Sequence, residues 1–237
     1  VTDNAGNGYT SAVVTVTCDL SMPTMEPIVE TEGHYYNSAP VFSNFGFDDN
    51  EDLDDGWYQM DSYTGTWTVL FTDVSGPSWD NDGWSIPGFD ALSEGSHTIY
   101  FRVSDDVGNE VGAGGEWSWQ FYKDTTPPTM EAISEPQGQY YSSAPVFSNF
   151  GFDDEQALDA GWYQIDSYSG DWVPLFAAQT GTEWNEDDWE LPGFDSLSEG
   201  SHTVYFRARD DAGNEEGENG EWSWQFYKDT IAPTITY

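Results

Sequence analysis

Leu92-Ser-Glu-Gly-Ser-His-Thr-Ile-Tyr-Phe-Arg-Val-Ser-Asp-Asp-Val-Gly-Asn109 alternates apolar and polar side chains from His97 to Ser104, then breaks on Asp-Asp-Val-Gly-Asn. Alternation at a period of two is the mark of a half-buried strand. Gly and Asn after it supply the left-handed backbone that a tight turn needs. The same stretch returns as Leu197 to Asn214, 105 residues later and with no insertion. Outward from it, Ser38 to Asp49 returns as Ser143 to Asp154, and Gly115 to Thr125 as Gly220 to Thr230. In all, 67 of the 101 positions from Met25 to Thr125 match their partners in Met130 to Thr230, so the chain is a tandem array rather than one large domain. Arrays of this kind serve reach, spacing or multivalent contact.

The junction between copies occurs three times. Asp19 aligns with Asp124 and Asp229, and Pro23-Thr24 with Pro128-Thr129 and Pro233-Thr234. This frame predicts four parts: residues 1–19 as the closing strand of a preceding module, 20–124 as module one, 125–229 as module two, and 230–237 as the opening strand of a following one. It leaves two expectations open, a window of a longer array or end strands completed by neighbouring subunits.

Within a module the remaining signals are also those of strands, and no helical period stands out. Val41 to Phe47 is a short apolar run closed by aspartates. Trp57 to Tyr63 alternates, and Thr64-Gly65 turns it into Trp67 to Phe71, the pattern of a hairpin. Glu116 to Tyr122 places Trp117, Trp119 and Phe121 on one face. Short strands with turn signals every 8–12 residues across about 100 residues predict an all-β chain of tandem immunoglobulin-like β-sandwiches. Six tryptophans lie in each copy at matched positions. Trp57, Trp162, Trp117 and Trp119 read as core.

Leu92 to Asn109 and Leu197 to Asn214, with Asp3-Asn-Ala-Gly-Asn7 before Ala12 to Asp19 and the Asp-Thr-x-x-Pro-Thr junctions, resemble bacterial immunoglobulin-like and hyalin-type tandem repeats of surface proteins. The likeness covers the later half of each module and the linkers; the tryptophan-rich earlier half departs from it. It implies an extracellular, cell-surface setting and a structural role as stalk, fibre or adhesin shaft. Neighbouring modules or copies of the same protein would be the partners. A carbohydrate-binding array and a filament subunit completed by strand exchange are the alternatives.

The charge is extreme: 44 acidic residues face 5 basic ones, a formal net charge of −39. Such a surface repels nucleic acid and anionic membranes. Aromatics at 17% of the chain argue for a packed core in spite of that charge. No apolar run reaches the length of a membrane span. One cysteine, Cys18, excludes an internal disulfide, and there is no N-glycosylation sequon.

In a sandwich of this type the acidic loops meet the incoming linker at one tip. The expected set in copy one is Asp48, Asp49, Asp54, Asp105, Asp106 and Asn109 with Asp19 of the linker. Copy two offers Asp153, Asp154, Asp159, Asp210, Asp211 and Asn214 with Asp124. Ca2+ takes six to eight hard oxygen ligands at flexible geometry, so these clusters suit it. The alternative is that Asp-x-x-Gly-Asn bonds its own backbone as a turn and the rest is solvated charge. Between the copies Asn50, Glu51, Asp52 and Asp55 change to Glu155, Gln156, Ala157 and Ala160, whereas the named aspartates do not.

Trp79, Trp84, Trp184 and Trp189 flank polar loops and are the candidate glycan platform of the carbohydrate reading. Ser96-His97 and Ser201-His202 invite a nucleophilic reading, but a histidine opening a strand more simply satisfies backbone groups. No nucleophile elbow, phosphate loop or Cys/His metal set occurs, so the chain reads as a non-enzyme. Lys123 and Lys228 end the last strand of each copy, where an isopeptide crosslink is the alternative to ion pairing.

Overall fold

The computed structural model describes residues 4–8 and 18–235. The preceding strand expected within Ala12 to Asp19 falls mostly outside the described residues, as do 236–237. The fold is all-β, built as tandem immunoglobulin-like sandwiches on the 105-residue period. Among the described residues no helix is long and apolar enough to cross a membrane.

In the second repeat the larger sheet runs in the order Gln139–Tyr141, Trp222–Lys228, Gly200–Asp210, Leu158–Ile165, Val173–Phe176, with Glu215–Glu216 hydrogen-bonded to Gly200–Asp210. Gly200–Asp210 is its spine, antiparallel to Leu158–Ile165 (Tyr163 opposite Phe206) and to Trp222–Lys228 (Val204 opposite Trp224). Gln139–Tyr141 joins in parallel. The smaller sheet is Thr129–Met130, Gly151–Asp153, Glu183–Asn185. Val146–Phe147 pairs separately with Trp189–Glu190. The first repeat carries the same sheet orders on its matching strands, from Thr24–Met25 to Ser118–Lys123. The quoted stretch is the centre of the fold: Gly95–Asp105 buries His97, Ile99, Phe101 and Val103 and turns Thr98, Tyr100 and Arg102 outward, as its alternation predicts.

The described residues gather into two compact units. One comprises the described residues up to 29 with Phe42–Trp84 and Ile99–Trp119; the other comprises Glu30–Val41, Ser85–Thr98 and the described residues from 120 on. Phenylalanine fills both. In the first unit Phe42, Phe45 and Phe47 are fully buried, with Phe45 and Phe101 centroids 5.1 Å apart and Trp119 edge-on to Phe42. In the second, Phe147, Phe150 and Phe152 are fully buried against Phe206, Trp224 and Phe226. Each such ring stabilises the sandwich by roughly 2–3 kcal/mol relative to exposure. The Phe-x-x-Phe-x-Phe spacing spans the break between Val41–Phe42 and Gly46–Asp48, so the single strand expected over 41–47 is two short ones.

Trp57 and Trp162 are not core. Arg102 stacks its guanidinium 4.2 Å from Trp57 and 5.2 Å from Trp67. Arg207 does the same with Trp162 and Trp172, at 4.4 Å and 5.0 Å. An outward position on the strand, next to an outward arginine, makes a cation–π ladder on the sheet's outer face. Trp119, and Trp224 in copy two, are almost fully buried, and Trp117 and Trp222 lie half-buried against Phe47 and Phe152 at the edge of the core.

Candidate metal centres at the acidic loops

Each acidic loop begins where a strand stops. Gly46–Asp48 and Gly151–Asp153 end one residue before Asp49 and Asp154; Gly95–Asp105 and Gly200–Asp210 end on Asp105 and Asp210. Two groups of carboxylates converge among the described residues, Asp19 with Asp49 and Asp105, and Asp124 with Asp154 and Asp210. In each group one oxygen per residue lies within 4.8 Å of the others.

The second group shows how the arrangement is held. Asp154 Oδ1 accepts the backbone N–H groups of Gln156 and Ala157 at 2.8 and 2.9 Å. Asp124 Oδ1 accepts that of Thr126 at 3.2 Å. Asp210 is gripped by Asn214, whose backbone N–H and Nδ2 donate at 2.8 and 2.7 Å. Gly213, at φ +88°, lets the chain turn back for that grip. One oxygen on each of Asp124 and Asp154 is left over: their Oδ2 atoms are buried without a hydrogen-bond partner, on residues only 0% and 8% exposed.

Three buried carboxylates at this spacing repel one another. Burial pushes the Asp124 carboxyl up to about 7; Asp154 and Asp210 add to the rise, and the Thr126 N–H opposes it. Asp210 is raised as well, chiefly by burial. A buried unpaired carboxylate must be neutralised by a proton or a cation. Hard oxygen ligands with two orphaned lone-pair donors are the chemistry of a divalent cation site, and carbonyls and water would complete its shell.

The other predicted residues lie nearby but outside these sets. Asp48 and Asp153 sit within the small sheet, opposite Thr24 and Thr129. Asp106 and Asp211 use their backbone N–H groups to tie the two loops together, on the carbonyls of Asp52 (3.2 Å) and Ala157 (2.9 Å). Asp54 lies one residue into its strand, its carbonyl accepting the N–H of Val74. Asp159 is bound by Arg209, a residue without counterpart in copy one. Asn109 and Asn214 hold aspartates rather than joining the converging oxygens. Asn109 donates to both carboxylate oxygens of Asp105, at 2.7 and 2.6 Å. So Asp-x-x-Gly-Asn is turn chemistry and a cluster member at once.

Pattern reading missed the linker clamp. Glu94 accepts the N–H and hydroxyl of Thr125 at 2.9 and 2.6 Å, and Glu199 does the same for Thr230. The identical Leu-Ser-Glu-Gly and Asp-Thr pairs were its only signal. Asn214 Nδ2 also donates to the Asp124 carbonyl at 3.0 Å, fixing the linker to the loop.

The candidate glycan tryptophans close the core. Trp79 stacks on Phe71 and Trp84 on Phe45, with centroids 4.5 and 4.9 Å apart; Trp184 stacks on Phe176 and Trp189 on Phe147, at 4.6 and 5.4 Å. His97 and His202 each pair Nε2 with a carbonyl, Ser93 at 2.9 Å and Ser198 at 2.8 Å, the backbone role expected of them. Lys228 Nζ donates to the carbonyls of Phe194, Asp195 and Leu197, and Lys123 Nζ to those of Asp90 and Leu92. These lysines cap the short 3-10 turn.

No protein-family model matches the chain, and no curated protein sequence matches it. Solved structures are similar to it at low sequence identity. The fibronectin(III)-like modules of Clostridium thermocellum CbhA are 10% identical, covering 91% of this chain and 100% of theirs at a TM-score of 0.35. A tetra-tandem repeat from the extending region of a large adhesion protein is 15% identical, over 89% of this chain and 49% of its own (TM-score 0.34). A bacterial ice-binding adhesin is 13% identical, over 89% and 66% (TM-score 0.33). Likeness at this level transfers neither ligand nor role.

Proposed function

We propose that this chain is a structural segment of an extracellular, cell-surface array, a stalk or adhesin shaft, whose module junctions are locked by Ca2+. In this reading the modules are 20–124 and 125–229, and the linker aspartate is the shared element. The observation that carries it is the buried trio of Asp124, Asp154 and Asp210, whose orphaned oxygens come from the linker and from a loop of the module that follows. A cation held by both stiffens the joint, because moving the module would pull the linker carboxylate from the ion. The net charge of −39 supports a setting rich in salt or divalent cations, which screen or bind the carboxylates. In this reading the histidines of the serine–histidine pairs are structural: each Nε2 meets a backbone carbonyl, and His202 Nδ1 meets the Asp166 carboxylate. The glycan reading draws no support from tryptophans whose faces cover phenylalanines. Thermal unfolding with calcium and with chelator tests the proposal. A higher midpoint in calcium is expected, and identical midpoints would remove the metal from the account.

A further inference from the structure

The larger sheet of each repeat ends on an edge strand, Thr68–Phe71 in the first and Val173–Phe176 in the second. Among the described residues neither has a neighbour on its outer side. An open edge offers unpaired N–H and C=O groups to any strand that can approach it. Which groups face outward follows from the register. Phe101 donates its N–H to the Trp117 carbonyl at 2.9 Å, so the backbone groups of Arg102, one residue on, point toward Leu53–Met60. Arg102 lies opposite Trp57, whose groups are used on that side, and Tyr58 turns the other way to meet Thr68. Val69 therefore directs its N–H and C=O off the sheet. The second repeat has the same register, with Pro174, the counterpart of Val69, opposite Trp162. Proline has no N–H and fits an edge strand where that group would face outward, which agrees with the direction derived for Val69.

The two edges are not equally protected. Asp171 and Pro174 of the second repeat are Thr66 and Val69 in the first. A charge beside the strand and a proline within it both keep an edge from pairing, and the first repeat has neither. It carries no charged residue from Ser62 to Thr72, and Trp67 to Thr72 is dominated by β-branched and aromatic side chains. Thr68 is exposed, and Val69 is 54% exposed. Two chains of net charge −39 repel, so an uncharged open edge is where they can meet without setting acid against acid.

We propose that Thr68–Phe71 is a self-association edge, pairing antiparallel with Thr68–Phe71 of a second copy of this chain about a twofold axis at Val69. Each Val69 donates its N–H to the carbonyl of the other. Identical strands laid antiparallel are self-complementary, as a twofold interface requires. Val173–Phe176 is excluded as the occupant because Pro174 lacks the donor and Asp171 brings charge to the edge. The pairing does not rest on the calcium reading.

Sedimentation equilibrium of the full chain in chelator tests this, at about 1 M salt, where the Debye length is about 3 Å, and at up to about 1 mM protein. A monomer–dimer equilibrium is expected, weakening as salt is lowered. The double variant Thr66→Asp with Val69→Pro installs the residues that the second repeat carries at the same positions, and it should be monomeric with a cooperative thermal transition. The converse pair, Asp171→Thr with Pro174→Val, gives each chain two open edges and should form species larger than a dimer; it decides the matter should the first variant not fold. A native chain that stays monomeric, a dimer that survives Thr66→Asp with Val69→Pro, or a converse variant no larger than the native dimer overturns the proposal.

Discussion

Replacing Asp124 with Asn keeps the shape of the linker side chain and removes its charge, so its effect has opposite signs with and without metal. In chelator the native carboxyl titrates at about 7 against an ordinary value of 3.8, because it is buried beside Asp154 and Asp210. The folded state therefore binds more protons than the unfolded one between those values. The contribution of this carboxyl to stability is full below about pH 4, falls as pH rises and is lost above about 7. At about 1.36 kcal/mol per unit the ceiling on that loss is about 4 kcal/mol; sharing of the repulsion among three carboxylates brings the working figure to about 2–4 kcal/mol. Asp124→Asn should recover this at pH 8 and almost none of it at pH 4. On the calcium reading the metal should work the other way. It should stabilise the native protein by about 2.7 kcal/mol at a hundredfold excess over Kd and about 4.1 kcal/mol at a thousandfold, and the variant, short of one ligand, should gain little. The advantage of the variant should shrink and then reverse as calcium is raised. Urea unfolding followed by tryptophan emission, at both pH values with chelator and with calcium, reads all four corners. A variant less stable than the native chain in chelator at pH 8, or an advantage indifferent to calcium, would refute the reasoning.

Other expectations follow from single contacts. A Cβ on Gly161 would lie 2.2 Å from the Phe176 ring, so Gly161→Ala should lower stability by roughly 1–3 kcal/mol through overpacking, seen as a lower thermal midpoint. Lys228→Met removes a nearly buried ammonium from three carbonyls and should cost about 3 kcal/mol in denaturant unfolding. The intact mass of the native chain should show no ammonia loss, because that amine is spent on carbonyls. Burial opposes protonation of His202, but the Asp166 carboxylate at 2.7 Å and the Ser198 carbonyl outweigh it and raise the pKa. The resulting stability is complete below the ordinary value of 6.5 and is lost as pH rises through the folded value. NMR titration should place His202 above 6.5 and return it to or below that value in Asp166→Asn.

The alternation from His97 to Ser104 decided the spine strand and its buried face, because a period of two is a property of the backbone and survives into the fold. The choice between adjacent aspartates was not legible in the same way. Asp48 and Asp49 are chemically alike, and so are Asp105 and Asp106. What separates them is where each strand stops: Asp48 still belongs to the ladder, and Asp105 is the last residue whose side chain follows the inward face. The tryptophans misled for a related reason. Trp57 reads as core until Arg102 is seen one strand away on the outer face, a cross-strand pairing with no local sign in the chain. Arg209 pairs with Asp159 in the same way, but Asp54, whose copy has Ser104 in place of that arginine, lies outside the converging oxygens too. Repetition is the one non-local signal this sequence carries, and it was most informative where the copies agree without being neighbours in sequence, as in Glu94 with Thr125. That clamp, with Asn214 on the Asp124 carbonyl, sets the linker aspartate against the loops at fixed reach. The junction therefore holds its linker through the Glu94 carboxylate and the Asn214 amide, and leaves one oxygen on each of Asp124 and Asp154 without a hydrogen-bond partner.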